Sequence, residues 1–188
     1  MIRHGETEWS LSGQHTSRTD IPLTPNGEAG ARRLAPWLSR VHFDRVFTSP
    51  RQRARRTCEL AGLAARAEVE PDLAEWDYGD YEGIRSSEIH VTRPDWNLFD
   101  DGCPNGEMPD EVAARADRLI DRLTVQGGTC ALFCHGHIGA VLAAGWIMLP
   151  PVNGECFPLA PAALSILGHH GKTRVISSWN VDLAAYPD

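Results

Sequence analysis

The stretch Thr129-Cys130-Ala131-Leu132-Phe133-Cys134 forms a continuous apolar run without a single charge. A strand with one wet face alternates polar and apolar side chains. An unbroken run instead suits a strand covered on both faces, as in a parallel sheet. An apolar helix follows from about Gly139 to Leu149 and stops at Pro150-Pro151. A doubly covered strand that feeds an apolar helix calls for layers of helix, sheet and helix.

The rest of the chain repeats the alternation. Thr24-Pro25 opens a helix to about Arg40, with Ala29, Leu34, Ala35 and Leu38 at helical spacing. Thr24 can cap its free N–H groups, and Pro25 suits the first helical position. Arg45-Val46-Phe47-Thr48 reads as a short buried strand that turns at Ser49-Pro50 into a helix carrying Arg51, Arg53, Arg55 and Arg56. From Asp110 to Leu123, the apolar residues Val112, Ala116, Leu119, Ile120 and Leu123 again recur at helical spacing. Leu164–Leu167 and Val175–Ser178 are expected to be the last strands, around a Gly168–Gly171 turn in which His169 and His170 are solvated. No repeat, low-complexity tract or linker interrupts the chain. Residues 1–188 are therefore expected to form a single α/β domain, a three-layer α/β/α sandwich on a mostly parallel sheet.

Sites in such sheets lie just beyond the carboxyl ends of strands. His4 and His135 both fall at such ends. The strand delivering His4 is expected between the 45–48 and 129–134 segments. Strands usually run ~5–6 residues, so an apolar stretch of about four to six residues is expected ahead of Arg3, encoded in frame.

Composition narrows the function. A net charge of −7 and a pI near 5.6 argue against nucleic acid as a partner, which needs a clustered basic surface. A small phosphorylated metabolite needs only a few local positive charges. Lys172 is the only lysine beside 17 arginines, a balance that suits a GC-rich bacterial genome. The five cysteines, Cys58, Cys103, Cys130, Cys134 and Cys156, include no C-x-x-C pair, and no apolar run nears the ~18 residues of a membrane span. The expectation is a reduced, cytoplasmic protein without a membrane partner. A homodimer is compatible with the sequence.

Several residues carry chemistry. Arg3-His4-Gly5-Glu6 sets a cation, an imidazole and a flexible turn residue together. Arg53 stands at a helix start, where anions are attracted and a guanidinium fork matches phosphate oxygens. At 100° per residue it points away from Arg51 and Arg55, which with Arg56 read as a solvated face. Cys134-His135-Gly136-His137 lacks a second cluster and the ligand number of a zinc site, so no metal is expected, and activity should survive chelators. Cys134 reads as a small buried strand residue. In Glu75-Trp76-Asp77-Tyr78-Gly79-Asp80-Tyr81-Glu82-Gly83, a carboxyl packed among Trp76 and Tyr78 would be desolvated, its pKa raised so that it holds a proton near neutrality. Asp80 reads as solvated.

Together these blocks resemble the histidine phosphatase superfamily, with its phosphoglycerate mutase-like fold. The matching residues run from Arg3-His4-Gly5-Glu6-Thr7-Glu8-Trp9 through Leu23-Thr24-Pro25-Asn26-Gly27 and Ser49-Pro50-Arg51-Gln52-Arg53-Ala54. They continue through Glu75 to Gly83 and end at His135-Gly136-His137. The 75–83 segment and Asp101-Gly102-Cys103-Pro104-Asn105-Gly106-Glu107 are similar to the branch of actinobacterial acid phosphatases and fungal sedoheptulose bisphosphatase. The resemblance implies that His4 becomes phosphohistidine and that Arg3, Arg53 and His135 complete the phosphate pocket. It implies that Glu75 is the general acid and later the base, without a cofactor. It also implies a substrate-contacting loop from Ser10 to Ser17, including Gln14 and Thr16. Ser10 and Ser17 depart from the family's frequent Asn and, in the mutases, Gly.

The implied activity is hydrolysis of small phosphomonoesters, sugar phosphates among them. A phosphoglycerate mutase is the alternative, and a non-catalytic phospho-ligand module a further one. The mutases carry an added basic segment after the Glu75 region. Here Ser86–Asp101 holds only Arg93 among Glu88, Asp95, Asp100 and Asp101, which favours hydrolysis.

Overall fold

The computed structural model describes residues 1–183. Residues 184–188, the last five of the expected domain, lie outside the described residues. The apolar run forms β4 (Cys130–Cys134), flanked by β2 (Arg45–Thr48) on one side and β1 (Ile2–Arg3) on the other. With β3 (Ala67–Val69), β5 (Leu164–His170) and β6 (Thr173–Val181), the sheet order is β3-β2-β4-β1-β5-β6. Pairings among β1 to β4 are parallel, whereas β5 runs antiparallel to both β1 and β6. The expected neighbours of the first strand are thus half right. β4 lies beside it, but β5 takes the place expected for β2, which pairs on the far side of β4.

Successive strand residues point to opposite faces, and each face of β4 has its own core. Leu132 and Cys134 pack with Phe47, Trp76, Leu119 and Ile138, while Ala131 and Phe133 pack with Val46, Leu34 and Cys58. The first core lies under α7 (Pro109–Gln126) and α8 (Gly136–Trp146), the second under α2 (Pro25–Arg33) and α4 (Gln52–Leu60). This is the expected α/β/α sandwich. Short helices α1 (Glu8–Ser12), α3 (Ala35–Leu38), α5 (Ser86–Thr92) and α6 (Leu98–Asp101) complete the α-helices of the described residues.

Three expectations shift in detail. The helix expected over 24–40 breaks at Leu34 into α2 and α3, because Pro36 has no N–H to continue the ladder. Helix α8 starts at Gly136, directly after His135, rather than near 139. His169 and His170 are exposed as expected, but they lie in β5. The turn is Gly171-Lys172, and Trp146 packs edge-on against His169 with ring centroids 5.1 Å apart. Cys134 is buried and Asp80 exposed, as read from the sequence. Among the described residues no helix is long and apolar enough to cross a membrane.

Candidate active site

The carboxyl ends of β1, β2 and β4 are drawn level by the ladder. His4 N–H donates to the Cys134 carbonyl at 3.0 Å, and Ser49 N–H to the Phe133 carbonyl at 2.9 Å. The ladder brings the His4 and His135 rings to 5.2 Å between centroids, edge to face. His4 is 4% exposed. Its Nδ1 lies 2.7 Å from the Gly5 carbonyl oxygen. A carbonyl only accepts, so Nδ1 carries the ring proton and Nε2 keeps its lone pair. Burial pushes the His4 pKa well below the ordinary histidine value, and the Arg3 and Arg53 charges push it further. At neutral pH the ring is a neutral base with a fixed tautomer.

The turn after His4 is held by backbone contact that only glycine permits. A Cβ on Gly5 would stand 2.4 Å from the Gly27 carbonyl oxygen, and one on Gly27 would stand 2.1 Å from that of Glu6. The Glu6 carboxylate accepts from Thr24 Oγ1 at 2.6 Å and Asn26 Nδ2 at 2.9 Å, while Thr24 Oγ1 caps α2 through Gly27 N–H. The first two sequence blocks are thus two halves of one clamp around His4.

Arg3 donates to the Leu159 carbonyl through Nη1, and its Nε is buried without a partner among the described residues. Arg53 is fully buried. It donates through Nε to His135 Nδ1 at 3.2 Å, through Nη1 to the Thr19 carbonyl at 3.2 Å, and through Nη2 to the Thr16 and Ser17 carbonyls at 2.9 and 3.2 Å. Because His135 Nδ1 accepts, its Nε2 carries the proton, 2.6 Å from Ser49 Oγ. Arg53 and His135 therefore stand behind His4 rather than in the cavity wall. From there they fix the 16–19 backbone and contribute positive charge.

Glu75 reverses one expectation. It is buried at 6% exposure, as foreseen, and desolvation works to raise its pKa. The neighbouring His137 and three backbone donors outweigh that and hold it below the usual carboxylate range. The donors are Trp76 N–H at 2.9 Å, His137 N–H at 3.1 Å and Ile138 N–H at 2.8 Å. The last two belong to the first turn of α8, where free N–H groups and the helix dipole favour an anion. The aromatic neighbours were legible, but the helix start beneath the carboxyl was not, because α8 was placed three residues late.

A cavity of about 440 Å³ opens over these groups, lined by Arg3, His4 and Glu75. Of the expected loop, Ser10, Gln14 and Thr16 line it, whereas Ser17 is buried outside it with Oγ on the Glu75 carbonyl at 3.3 Å and its N–H on the Glu82 carboxylate at 2.9 Å. Ser10 Oγ is occupied in capping α1 through Thr7. Missing from the sequence-based set are His15, Tyr78 and His137 as wall residues. Tyr78 Oη lies 2.5 Å from His137 Nδ1, and burial pushes the His137 pKa down to about 4 despite the opposing Glu75 charge. In the sequence His137 stood out only as a discarded metal ligand and as the last residue of the His135-Gly136-His137 block, with no role in the site assigned to it. Among the described residues no group of three or more His, Cys, Asp or Glu side chains could hold a metal ion.

The family described as histidine phosphatase superfamily (branch 1) matches residues 1–182. The chain is 39% identical over 180 residues to an acid phosphatase of Mycobacterium tuberculosis, covering 93% of this chain and 88% of that protein. It is 36% identical over 181 residues to a sedoheptulose 1,7-bisphosphatase of Saccharomyces cerevisiae, covering 79% of this chain and 67% of that one. A solved structure of an open reading frame from Mycobacterium tuberculosis superimposes with a TM-score of 0.92 at 34% identity, over 97% of this chain and 96% of that one.

Proposed function

The chain belongs to the histidine phosphatase superfamily (branch 1), and from that membership we propose that His4 is the residue that carries the phosphoryl group. The protein is a phosphoric monoester hydrolase, as its family and its phosphatase relatives indicate. The observation that carries the assignment is the His4 tautomer. Nδ1–H is tied to the Gly5 carbonyl, and Nε2 is left as an unprotonated nucleophile beside two arginines.

His4 Nε2 attacks phosphorus, the P–O bond to the leaving alcohol breaks, and the electron pair departs with that oxygen. The Glu75 carboxyl gives the oxygen its proton. Water then attacks the phosphohistidine while the Glu75 carboxylate takes the water proton, the P–N bond breaks and inorganic phosphate leaves. Two displacements through a covalent intermediate replace one harder step. Arg3, whose buried Nε lacks a partner among the described residues, donates to a phosphoryl oxygen. Arg53 and His135 add positive charge from behind. Phosphoryl transfer draws mainly on such positioning and charge stabilisation. Glu75 is ionised in the free enzyme, and a bound phosphate brings like charge that raises its pKa. A substrate arriving as a monoanion, with a second phosphate pKa of ≈ 6, can supply the proton.

Hydrolysis is favoured over mutase chemistry because Arg93, the only arginine or lysine in the stretch where the mutases are basic, donates to Tyr81 Oη at 3.1 Å and sits 3.4 Å from Asp101. A cytoplasmic, bacterial setting is supported by five free cysteines and by the arginine-rich, lysine-poor composition. The test is to compare wild type with His4→Ala on alkyl phosphomonoesters and on 3-phosphoglycerate. Inorganic phosphate release by wild type and none by the variant is expected. Undiminished turnover by the variant, or phosphate moved to another carbon rather than to water, would refute the reading.

A further inference from the structure

The cavity is electrostatically lopsided. Among the described residues that line it, Arg3 is the only arginine and there is no lysine, and Arg3 stands beside His4 at the phosphate end. Away from that end, the exposed rim contributes Ser86 and the carboxylate of Glu155. Glu155 is oriented by one oxygen, which accepts from Asn97 Nδ2 at 2.7 Å. His15 and His137 add no cation at neutral pH. Burial holds the His15 pKa below the ordinary value and that of His137 at about 4.

What the rim offers is hydrogen bonding and aromatic surface. His15 donates Nδ1–H to the Ile84 carbonyl at 2.8 Å, which leaves Nε2 as an acceptor 3.5 Å from Ser86 Oγ. Gln14 is held by Gly83 and Ser12 at 2.8 and 2.6 Å. Trp9 lies over Gly83, where a Cβ would come within 3.1 Å of its ring, and Phe157 is braced edge-on by Trp179 at 5.4 Å between centroids. Ring faces, neutral acceptors and a carboxylate that binds hydroxyl protons suit a compact polyol. They repel a second anion.

We propose that the outer half of this cavity seats an uncharged, polyhydroxylated leaving group, and that Glu155 is the specificity residue that turns away substrates carrying a second phosphate or a carboxylate. The substrate class is then a sugar or polyol monophosphate. This rests on the hydrolase reading above and narrows it. A second anion near Glu155 meets an unpaired like charge, so discrimination of about tenfold or more in kcat/KM is expected.

The test measures kcat/KM for glucose 6-phosphate, fructose 1,6-bisphosphate and 3-phosphoglycerate, with para-nitrophenyl phosphate as a leaving group that needs no polyol seat. Wild type should favour glucose 6-phosphate over both doubly anionic substrates by about tenfold or more. Glu155→Gln should narrow that ratio, and Glu155→Lys should narrow it further or invert it. Ser86→Arg, a cation introduced at another residue lining the cavity, should shift the ratio the same way with the Glu155 carboxylate intact. A wild-type preference for the bisphosphate or 3-phosphoglycerate, or ratios unmoved in all three variants, would overturn the inference and leave the hydrolase reading standing. No phosphate release from any of the four substrates would instead sink the hydrolase reading itself.

Discussion

Glu75 is ionised in the free site because three N–H groups converge on it, and it must hold a proton when the leaving oxygen departs. The phosphate itself reconciles these demands, since its charge raises the carboxyl pKa only when substrate is bound. The alkaline limb of kcat, which reports the complex, should therefore lie above the usual carboxylate range and keep the optimum below neutral pH. Glu75→Gln should remove that limb and slow alkyl phosphates by about 10²- to 10⁴-fold, sparing para-nitrophenyl phosphate, whose leaving group hardly needs a proton. Equal losses on both substrates would argue against Glu75 as the acid. At this scale the residue types were legible. Arg3, His4, Arg53, Glu75 and His135 do converge. The protonation of Glu75 was not legible, because it depends on groups far away in sequence. Glu75 lies 62 and 63 residues from the two α8 amides it accepts from.

The elements act through close backbone contact as much as through side chains. The turn after β1 and the start of α2 touch at Gly5 and Gly27, and the 75–83 and 101–107 loops touch in the same way. A Cβ on Gly79 would stand 2.2 Å from the Pro104 carbonyl oxygen, and one on Gly106 would stand 2.2 Å from that of Asp77. Arg115 and Glu107, paired at 2.8 Å, lock the second contact. Glu107 Oε2 accepts Asp77 N–H at 2.8 Å, and Arg115 reaches the Asp72 and Ala74 carbonyls at 2.9 and 2.7 Å. Gly27→Ala forces these backbones apart. It should cost about 1–3 kcal/mol or more, with the melting temperature falling by about 2–4 °C per kcal/mol, and kcat should fall because His4 moves. An unchanged melting temperature and rate would show that the clamp is not needed. Apolar periodicity made β2, β4, α2, α7 and α8 visible in the sequence. It was silent on the glycine contacts, and it placed the start of α8 late because Gly136 and His137 carry no apolar signal.

At the scale of the whole molecule, four histidines are folded into one end of the sheet as neutral rings. The pKa values of His4, His15, His135 and His137 are all lowered, chiefly by burial. The unfolded chain protonates such rings near pH 6.5, so below that pH it binds more protons than the folded protein. Stability should therefore fall as pH drops from 7 to 5, by up to about 1.4 kcal/mol per pH unit for each ring. For His137 the loss should end near pH 4, where the folded ring protonates. Urea unfolding at pH 7, 6 and 5 reads this directly, and His137→Gln should flatten the slope. A stability that is constant or rises toward pH 5 would contradict the burial account. The sandwich was legible because β4 is apolar throughout, but the place of β1 was not, since two residues carry too little pattern to choose between β2 and β5 as its neighbour. The central claim is that this architecture presents one atom, His4 Nε2, to phosphorus. Rapid quenching in alkali during turnover, followed by peptide mapping and phosphorus NMR of the adduct, tests it most directly. A single acid-labile phosphoryl group attached to His4 through Nε2 is the predicted result. Attachment through Nδ1, or a phosphoryl group on Ser10, Cys134 or any other residue, would contradict it.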